Sequence, residues 1–318
     1  MTTTSPGLPV RRAPRGRTTG RLARHEARWA FVFLTPWIVG FLVFTAGPMV
    51  ASLVLSFTDY DLVNSPRPAG TANYEEILSD PRVRTSMVNT FVYTALHVPL
   101  AVAFALALAL LLVRLARSSA FFRTVVYLPV MTPPVAVGAM FLLLLNGRYG
   151  LVNDALAHVG VTGPDWLTDP AWIKPGLVLM SLWSVGSTAV IFLAALKAVP
   201  TDLYEAARLD GAGAWRTFRS ITLPMISGTV YFVVVVNTIA SLQSFAEVYT
   251  MFFGNQATQE TSSDSALLYS VYLFQQAFQY LRMGYASALA WLLFLVVLVV
   301  TLVQVRVARN RVYYEGER

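Results

Sequence analysis

Long apolar stretches without a charged residue dominate the chain. A helix needs about 20 residues to cross the hydrocarbon core of a membrane. Six stretches between successive Lys, Arg, Asp or Glu residues pass this test: 29–58, 85–113, 124–147, 175–196, 220–246 and 283–305. The next longest, 265–281, is shorter and contains three glutamines, so we place it outside the membrane. The pattern therefore predicts an all-α, polytopic membrane protein with six transmembrane helices.

The composition identifies lipid as the main solvent of the chain. Hydrophobic residues make up 56% of the 318 residues and charged residues 13%, whereas soluble domains carry about 25% charged residues. A soluble core of this length cannot enclose so much apolar surface. The net charge of +7 does not indicate nucleic acid, because the basic residues cluster at the ends of the apolar stretches. The lack of cysteine excludes disulfides, thiolate metal ligands and a cysteine nucleophile.

Lys and Arg residues are distributed unequally between alternate connections. If the N-terminus is cytoplasmic, the cytoplasmic segments hold 18 of them and the external segments hold six. Because positive charge favours the cytoplasmic side, we predict a multi-pass protein of the inner or plasma membrane with both termini in the cytoplasm. The predicted organisation is a disordered basic N-terminus at 1–28, a transmembrane domain at 29–306 and a cytoplasmic tail at 307–318.

The predicted spans lack the groups that usually power or catalyse a reaction. None contains a charged residue, and His25, His97 and His158 fall in three separate regions without metal-ligand spacing. No GxxxxGK[ST] phosphate loop is present. We therefore expect a transport subunit rather than an enzyme, with no metal or cofactor of its own. Two alternatives stay open: a secondary carrier, which predicts intramembrane charges and an inverted repeat, and a membrane-embedded transferase, which predicts clustered acids, His or Lys.

The second cytoplasmic connection, residues 197–224, carries an unusual local pattern. Thr201 is a good N-cap, with acidic residues in the first turn that follows it. Gly211 supplies the break that a helix C-terminus prefers. A second short helix follows with Trp215 and Phe218 on one face, Arg216 and Arg219 on a neighbouring face, and Pro224 at its end. Such an elbow, with aromatic and arginine side chains, is typical of the centre of a protein–protein interface.

The same residues resemble a known signature. The pattern EAAxxDGAxxxxxFxxIxLP is similar to the cytoplasmic loop of permease subunits of bacterial ATP-binding-cassette (ABC) importers. Its matching positions are Glu205, Ala206, Ala207, Asp210, Gly211, Ala212, Phe218, Ile221, Leu223 and Pro224. In that family the loop forms a coupling helix that docks on an ATPase subunit. The resemblance thus implies that ten residues couple this chain to an ATPase. They are Glu205, Ala206, Ala207, Asp210, Gly211, Ala212, Trp215, Arg216, Phe218 and Arg219.

The resemblance extends to segments 33–62, 70–80 and 283–294, which look like the carbohydrate-type branch of these permeases. It implies the type I permease fold of ABC importers. It also implies a complex with a second permease, identical or different, an ATPase dimer that holds the ATP and Mg²⁺, and an external solute-binding protein. The substrate would be a sugar, and the sequence does not distinguish a sugar from a polyol or glycerol phosphate. Transport would proceed by alternating access.

A sugar path through the membrane needs uncharged hydrogen-bonding groups and aromatic rings on one helix face. Asn237, Ser241 and Ser244 fall at i, i+4 and i+7 and would share a face of the fifth span. The other candidates are Gln243 and Glu247 in or beside that span, Trp183, Ser184 and Ser187 in the fourth, and Tyr93 and His97 in the second. The alternative is that such residues only join helices by hydrogen bonds.

Overall fold

The computed structural model describes residues 21–115, 119–254 and 264–309. These ranges are almost entirely helical, with one two-residue β pairing. In chain order the elements are α1 (Arg21–Phe41), α2 (Gly47–Leu55), β1 (Thr58–Asp59), β2 (Arg67–Pro68), α3 (Ala72–Ser79), α4 (Pro81–Arg114), α5 (Ser119–Tyr127), α6 (Pro134–Leu144), α7 (Leu151–His158), α8 (Pro170–Leu182), α9 (Gly186–Ala198), α10 (Thr201–Leu209), α11 (Ala214–Thr217), α12 (Leu223–Met225), α13 (Ser227–Leu242), α14 (Ala246–Phe252), α15 (Tyr269–Phe274) and α16 (Met283–Ala308).

Four helical stretches in the described part of the chain are long and apolar enough to cross a membrane. They are His25–Leu55, Pro81–Arg114, Ser227–Phe252 and Met283–Ala308. Two further pairs of helices pass the same test as bent spans: Ala120–Met131 with Pro134–Leu144, bent by 95°, and Pro170–Leu182 with Gly186–Ala198, bent by 56°. All six predicted spans therefore appear in the expected order, and the third and fourth are sharply bent.

The chain divides after Val54 into two compact units. In the first, α1 continues through a π-helical turn at Leu42–Ala46 into α2, and its side chains are mostly exposed, as a lipid-facing helix requires. Helix α1 begins at Arg21, inside the segment 1–28 that the sequence predicts to be disordered. Residues 1–20 of that segment, and 310–318 of the predicted tail, lie outside the described residues.

Helix α4 organises the second unit because it contributes to two separate hydrophobic clusters. Its first half supplies Val83 and Tyr93 to a cluster with α6, α8 and α14–α16. Its second half presents Ala101, Ala105 and Ala109, each no more than 1% exposed, to the cluster that contains α9. Small residues at a spacing of four let two helix backbones approach closely. This alanine seam therefore fixes α4 against α9 in the membrane.

The bend of the third span follows from its prolines. Thr132 has extended backbone angles (φ −76°, ψ 126°) and Pro133 follows it, as expected because a residue before proline is pushed out of the helical region. Helix α5 then packs on α9 so closely that a Cβ atom on Gly186 would overlap the carbonyl oxygen of Val126. The contact requires glycine at this position.

The segment 265–281, which the sequence places outside the membrane, is not a surface loop. Its residues Leu268 and Tyr269 are fully buried in the first cluster. The Asn89 side chain of α4 donates hydrogen bonds to the carbonyl oxygens of Asp264 and Leu267, at 2.7 and 3.0 Å. The Tyr269 hydroxyl donates to the Leu289 carbonyl at 2.9 Å. Its backbone polar groups find partners inside the protein, so this irregular segment can be buried.

One carboxylate joins three elements at the start of α4. Asp80 caps α4 by accepting a hydrogen bond from the backbone N–H of Arg82 at 2.8 Å. It also accepts hydrogen bonds from the hydroxyls of Tyr272 and Tyr285, the latter at 2.7 Å. Burial alone raises the pKa of Asp80, but these hydrogen bonds outweigh it and hold the pKa below its ordinary value of 3.8. The ionised form therefore stabilises the packing of α15 and α16 on α4.

We expect Asp80→Asn to lower the thermal unfolding midpoint by a few degrees at pH 7. A lowered pKa means that the stabilisation is present above about pH 4 and is lost as the pH falls through the folded-state value. The difference between wild type and variant should therefore shrink on acidification. Unfolding midpoints in detergent, measured from pH 7 to pH 3, check this. Asp61→Asn is the matched control, since Asp61 bonds only within its own turn, and should cost less.

Candidate functional site

Most of the predicted pathway residues converge on one cavity of about 490 Å³. This volume lies within the range of about 300–1,000 Å³ that is usual for small-molecule sites. Helices α4, α6, α8, α9, α13 and α14, with the breaks between them, form its walls. Of the eight residues predicted to line the pathway, seven line the cavity: Tyr93, Ser187, Asn237, Ser241, Gln243, Ser244 and Glu247. His97 and Ser184, also noted in the sequence, line it as well.

The cavity lies where three helical spans are interrupted. Ser184 and Val185 belong to the break between α8 and α9, and Gln243 to Phe245 form the break between α13 and α14. Pro134, the first residue after the bend of the third span, lines the cavity too. Non-helical backbone at membrane depth is tolerated only where protein buries it or where it faces a polar cavity. The polar cavity therefore accounts for the interrupted backbone at this place.

Hydrogen bonds across the cavity wall connect α4 to the neighbouring spans. The Nδ1 atom of His97 lies 2.5 Å from the Ser241 hydroxyl, which joins α4 to α13. The Tyr93 ring stacks on His97, with 5.4 Å between centroids and 2° between planes, and its hydroxyl interacts with Ser181 and Ser244. Ser241 therefore acts partly as an interhelical link, which was the alternative reading of these serines.

The structure differs from two predictions about this site. Trp183 does not line the cavity but packs edge-on against Phe141, with 6.2 Å between ring centroids. Ser244 does not continue the face of Asn237 and Ser241, because α13 ends at Leu242. Glu247, which the sequence places in or beside the fifth span, lies within the helical stretch Ser227–Phe252.

Two polar residues of the cavity, Ser181 and Thr188, were not predicted. With Ser184 they are spaced i, i+3 and i+7, which is a helical-face signal. The side-chain amide of Asn237 donates a hydrogen bond to the carbonyl of Val233 in its own helix, at 2.9 Å. In the described ranges, no group of three or more His, Asp or Glu side chains is placed to hold a metal ion.

The connection at 197–224 forms the predicted helix–glycine–helix elbow. Helix α10 ends in a Schellman motif: the N–H of Ala212 bonds to the carbonyl of Ala207 and that of Gly211 to Arg208, at 2.9 and 3.1 Å. Gly211 has φ +71°, a conformation that disfavours every residue with a Cβ. The hydroxyls of Tyr204 and Thr222, 3.2 Å apart, hold the two arms of the elbow together.

The ends of the elbow helices differ from the prediction. Pro200 rather than Thr201 occupies the N-cap position, and no side chain caps α10. Pro224 does not end the second arm, because α11 continues through a π-helical turn at Phe218–Thr222 into α12, which includes Pro224 in its first turn. A proline is tolerated there because the first-turn N–H groups need no helical partner. Residues 220–226 therefore belong to the elbow and not to the fifth span.

The elbow presents apolar and cationic side chains outward. Leu209 is 89% exposed and Trp215 is 71% exposed, with the Trp215 ring stacked on Phe218 at 5.7 Å. Arg216 and Arg219 are exposed beside them. Of the remaining signature residues, Ala207 is buried, while Glu205, Ala206, Asp210 and Gly211 are exposed and Ala212 is partly exposed. Exposed tryptophan and arginine side chains are typical of a protein-binding surface.

Known proteins resemble the chain in sequence and fold. Residues 97–312 match the family described as binding-protein-dependent transport system inner membrane component. The probable ABC transporter permease protein YesP of Bacillus subtilis (strain 168) is 38% identical over 300 residues, covering 93% of this chain and 96% of the relative. The lactose transport system permease protein LacF of Rhizobium radiobacter is 32% identical over 92% of this chain and 99% of its own length.

A solved structure has the same fold. The match is to a chain in the crystal structure of a bacterial ABC transporter involved in the import of the acidic polysaccharide alginate, with a TM-score of 0.78 and 24% identity over 92% of this chain and 100% of that one. Together with the apolar spans, these findings place the protein in a membrane. The chain belongs to the binding-protein-dependent transport system inner membrane component family, and it is an ABC-type permease subunit rather than an enzyme.

Proposed function

We propose that the chain translocates a sugar or sugar-like solute through the polar cavity between its broken helices. One observation carries this proposal: hydroxyl and amide side chains and the Tyr93 ring converge on one cavity inside the membrane domain, 29–306. Sugars offer hydroxyls to such groups and ring faces to aromatics. The names of relatives support the substrate class, because LacF is named for lactose and the 29% identical AraP of Bacillus subtilis for arabinooligosaccharides.

The proposed complex contains this chain, a second permease, an ATPase dimer that holds the ATP and Mg²⁺, and an external solute-binding protein. The family description as binding-protein-dependent supports the last of these. The excess of Lys and Arg supports cytoplasmic placement of both termini and of the elbow at 197–224. In this arrangement the elbow contacts the ATPase and transmits its closure to the helices. The residues that do so are Glu205, Ala206, Ala207, Asp210, Gly211, Ala212, Trp215, Arg216, Phe218 and Arg219.

The test is uptake of radiolabelled sugars into proteoliposomes that contain the chain with its partner permease, ATPase and binding protein. The panel should include lactose and arabinose oligosaccharides. ATP-dependent uptake that needs every component supports the proposal. Uptake by this chain alone, driven by an ion gradient, would instead make it a secondary carrier. Turnover of a lipid-linked substrate by the purified chain would make it a transferase.

Within the cavity, Asn237→Ala and Gln243→Ala are each expected to raise the KM for uptake about three- to tenfold. Each variant removes hydrogen bonds that contribute about 0.5–1.5 kcal/mol, and about 1.4 kcal/mol corresponds to tenfold in affinity. Initial uptake rates against binding-protein–sugar concentration measure the change. Val236→Ala is the control, because Val236 is exposed on another face of α13 and does not line the cavity. Unchanged kinetics in both amide variants would contradict a pathway through this cavity.

A further inference from the structure

We propose that the carboxylate of Glu247 makes this cavity selective against negatively charged solutes, so that it admits neutral or amino sugars and rejects uronates and sugar phosphates. The assignment of the solute as a sugar rests on the proposed function above. The selection by charge rests on the cavity alone.

The lining of the cavity has an uneven charge composition. Glu247 is the single carboxylate among the described residues that form the wall, and no Lys or Arg stands among them. His97, the remaining ionisable base there, is buried and has its Nδ1 atom engaged with Ser241. Hydroxyl and amide groups complete the polar part of the wall. An anion that entered would therefore meet a negative charge without a cation to pair with.

The backbone holds Glu247 at the cavity. The residue follows the break at Gln243–Phe245 and belongs to the first turn of α14. Helix α6 packs against it so closely that a Cβ atom on Gly138 would lie 2.6 Å from the Glu247 carbonyl oxygen. The backbone of Glu247 therefore lies in contact with α6 and beside the cavity.

The electrostatic consequence follows from the half-buried position of Glu247. Two like charges in a partly buried site repel far more strongly than they do in water, and a charge that loses its hydration without a partner is costly. A neutral sugar avoids both the repulsion and the cost of lost hydration, and its hydroxyls can donate hydrogen bonds to the carboxylate. An amino sugar gains an attraction. Clefts lined by one sign of charge change the local concentration of a charged molecule by about 10- to 10³-fold.

The lack of native cysteine allows a direct test. Ser187→Cys, inside the cavity, is placed in the assembled complex and treated with a cationic reagent, trimethylammonium-ethyl methanethiosulfonate, or an anionic one, sulfonatoethyl methanethiosulfonate. The intact mass of this chain reports the rate of each reaction. Removal of the negative charge with Glu247→Gln should lower the cation-to-anion rate ratio at position 187 by about tenfold or more.

Two comparisons make the result specific. Val159→Cys, 73% exposed and outside the cavity lining, should show no change of ratio with Glu247→Gln. Glu247→Asp, which keeps the charge, should preserve the ratio at position 187. A ratio at position 187 that Glu247→Gln leaves unchanged would overturn the inference. The labelling uses neither sugar nor ATP, so failed sugar uptake with a responsive ratio would remove the proposed substrate alone.

Discussion

Gly211→Pro is expected to uncouple the chain from the proposed ATPase partner while leaving the membrane helices folded. Gly211 has φ +71°, whereas proline is held near −65°, so the turn cannot form. The substitution also removes the N–H that bonds to the Arg208 carbonyl at 3.1 Å. The second arm of the elbow, with Trp215, would then leave its position. A few central residues carry most of the energy of an interface, so association should weaken about tenfold or more, since about 1.4 kcal/mol is a factor of ten.

The measurement is co-purification of the ATPase with the tagged chain, together with ATP hydrolysis stimulated by the sugar-loaded binding protein. Gly213→Ala is the matched control: it lies two residues away, has φ −69° and has open space around a Cβ atom. It should keep both ATPase association and stimulation. If the Gly211→Pro variant retained full stimulation, the elbow would not be the coupling surface.

Gly186→Ala is expected to cause a large loss of stability. Its Cβ atom would overlap the backbone carbonyl of Val126, and a backbone atom inside a helix cannot rotate away as a side chain can. Overpacking of this kind costs about 1–3 kcal/mol and occasionally more. Helices α5 and α9 would separate at this point. The thermal unfolding midpoint of the purified chain in detergent should fall by several degrees, with lower yield from the membrane.

Gly40→Ala provides the comparison, because Gly40 also lies inside an apolar helix but has nothing within 4 Å of an added Cβ atom. Alanine is the better helix former by about 1 kcal/mol, so this variant should match or exceed the wild-type midpoint. An equal loss in both variants would mean that any methyl group in these helices is harmful. The close contact between α5 and α9 would then not be the cause.

The sequence predicts the number, order and approximate bounds of the spans, because a segment surrounded by lipid must be about 20 residues long and lack charged side chains. It does not predict the break at Gln243–Phe245, since no proline or glycine stands there and the interruption depends on neighbouring helices. The break at Thr132–Pro133 could have been anticipated from its prolines. The sequence also did not show that part of the segment 265–281 is buried, because its glutamines are paired or enclosed by other elements.

The sequence predicted most of the residues that line the cavity, but not how the helices around it are arranged. Helical spacing placed Asn237 and Ser241 on one face, and the structure keeps them together. The same spacing did not place Ser244 on that face, because α13 ends at Leu242. Trp183 does not line the cavity, because an aromatic ring at the edge of a polar face can turn toward an apolar neighbour such as Phe141. Periodicity reports which residues share a helix face, but it does not report which other helices face them.

The two clusters along α4 have a mechanical consequence. Tyr93, Val137 and Met180 of the first cluster and Val185 of the second all border the cavity. Helix α4 runs without a break through both clusters and along the cavity wall between them. Because a close-packed interior transmits strain, a tilt of α4 would move both clusters and the cavity wall together.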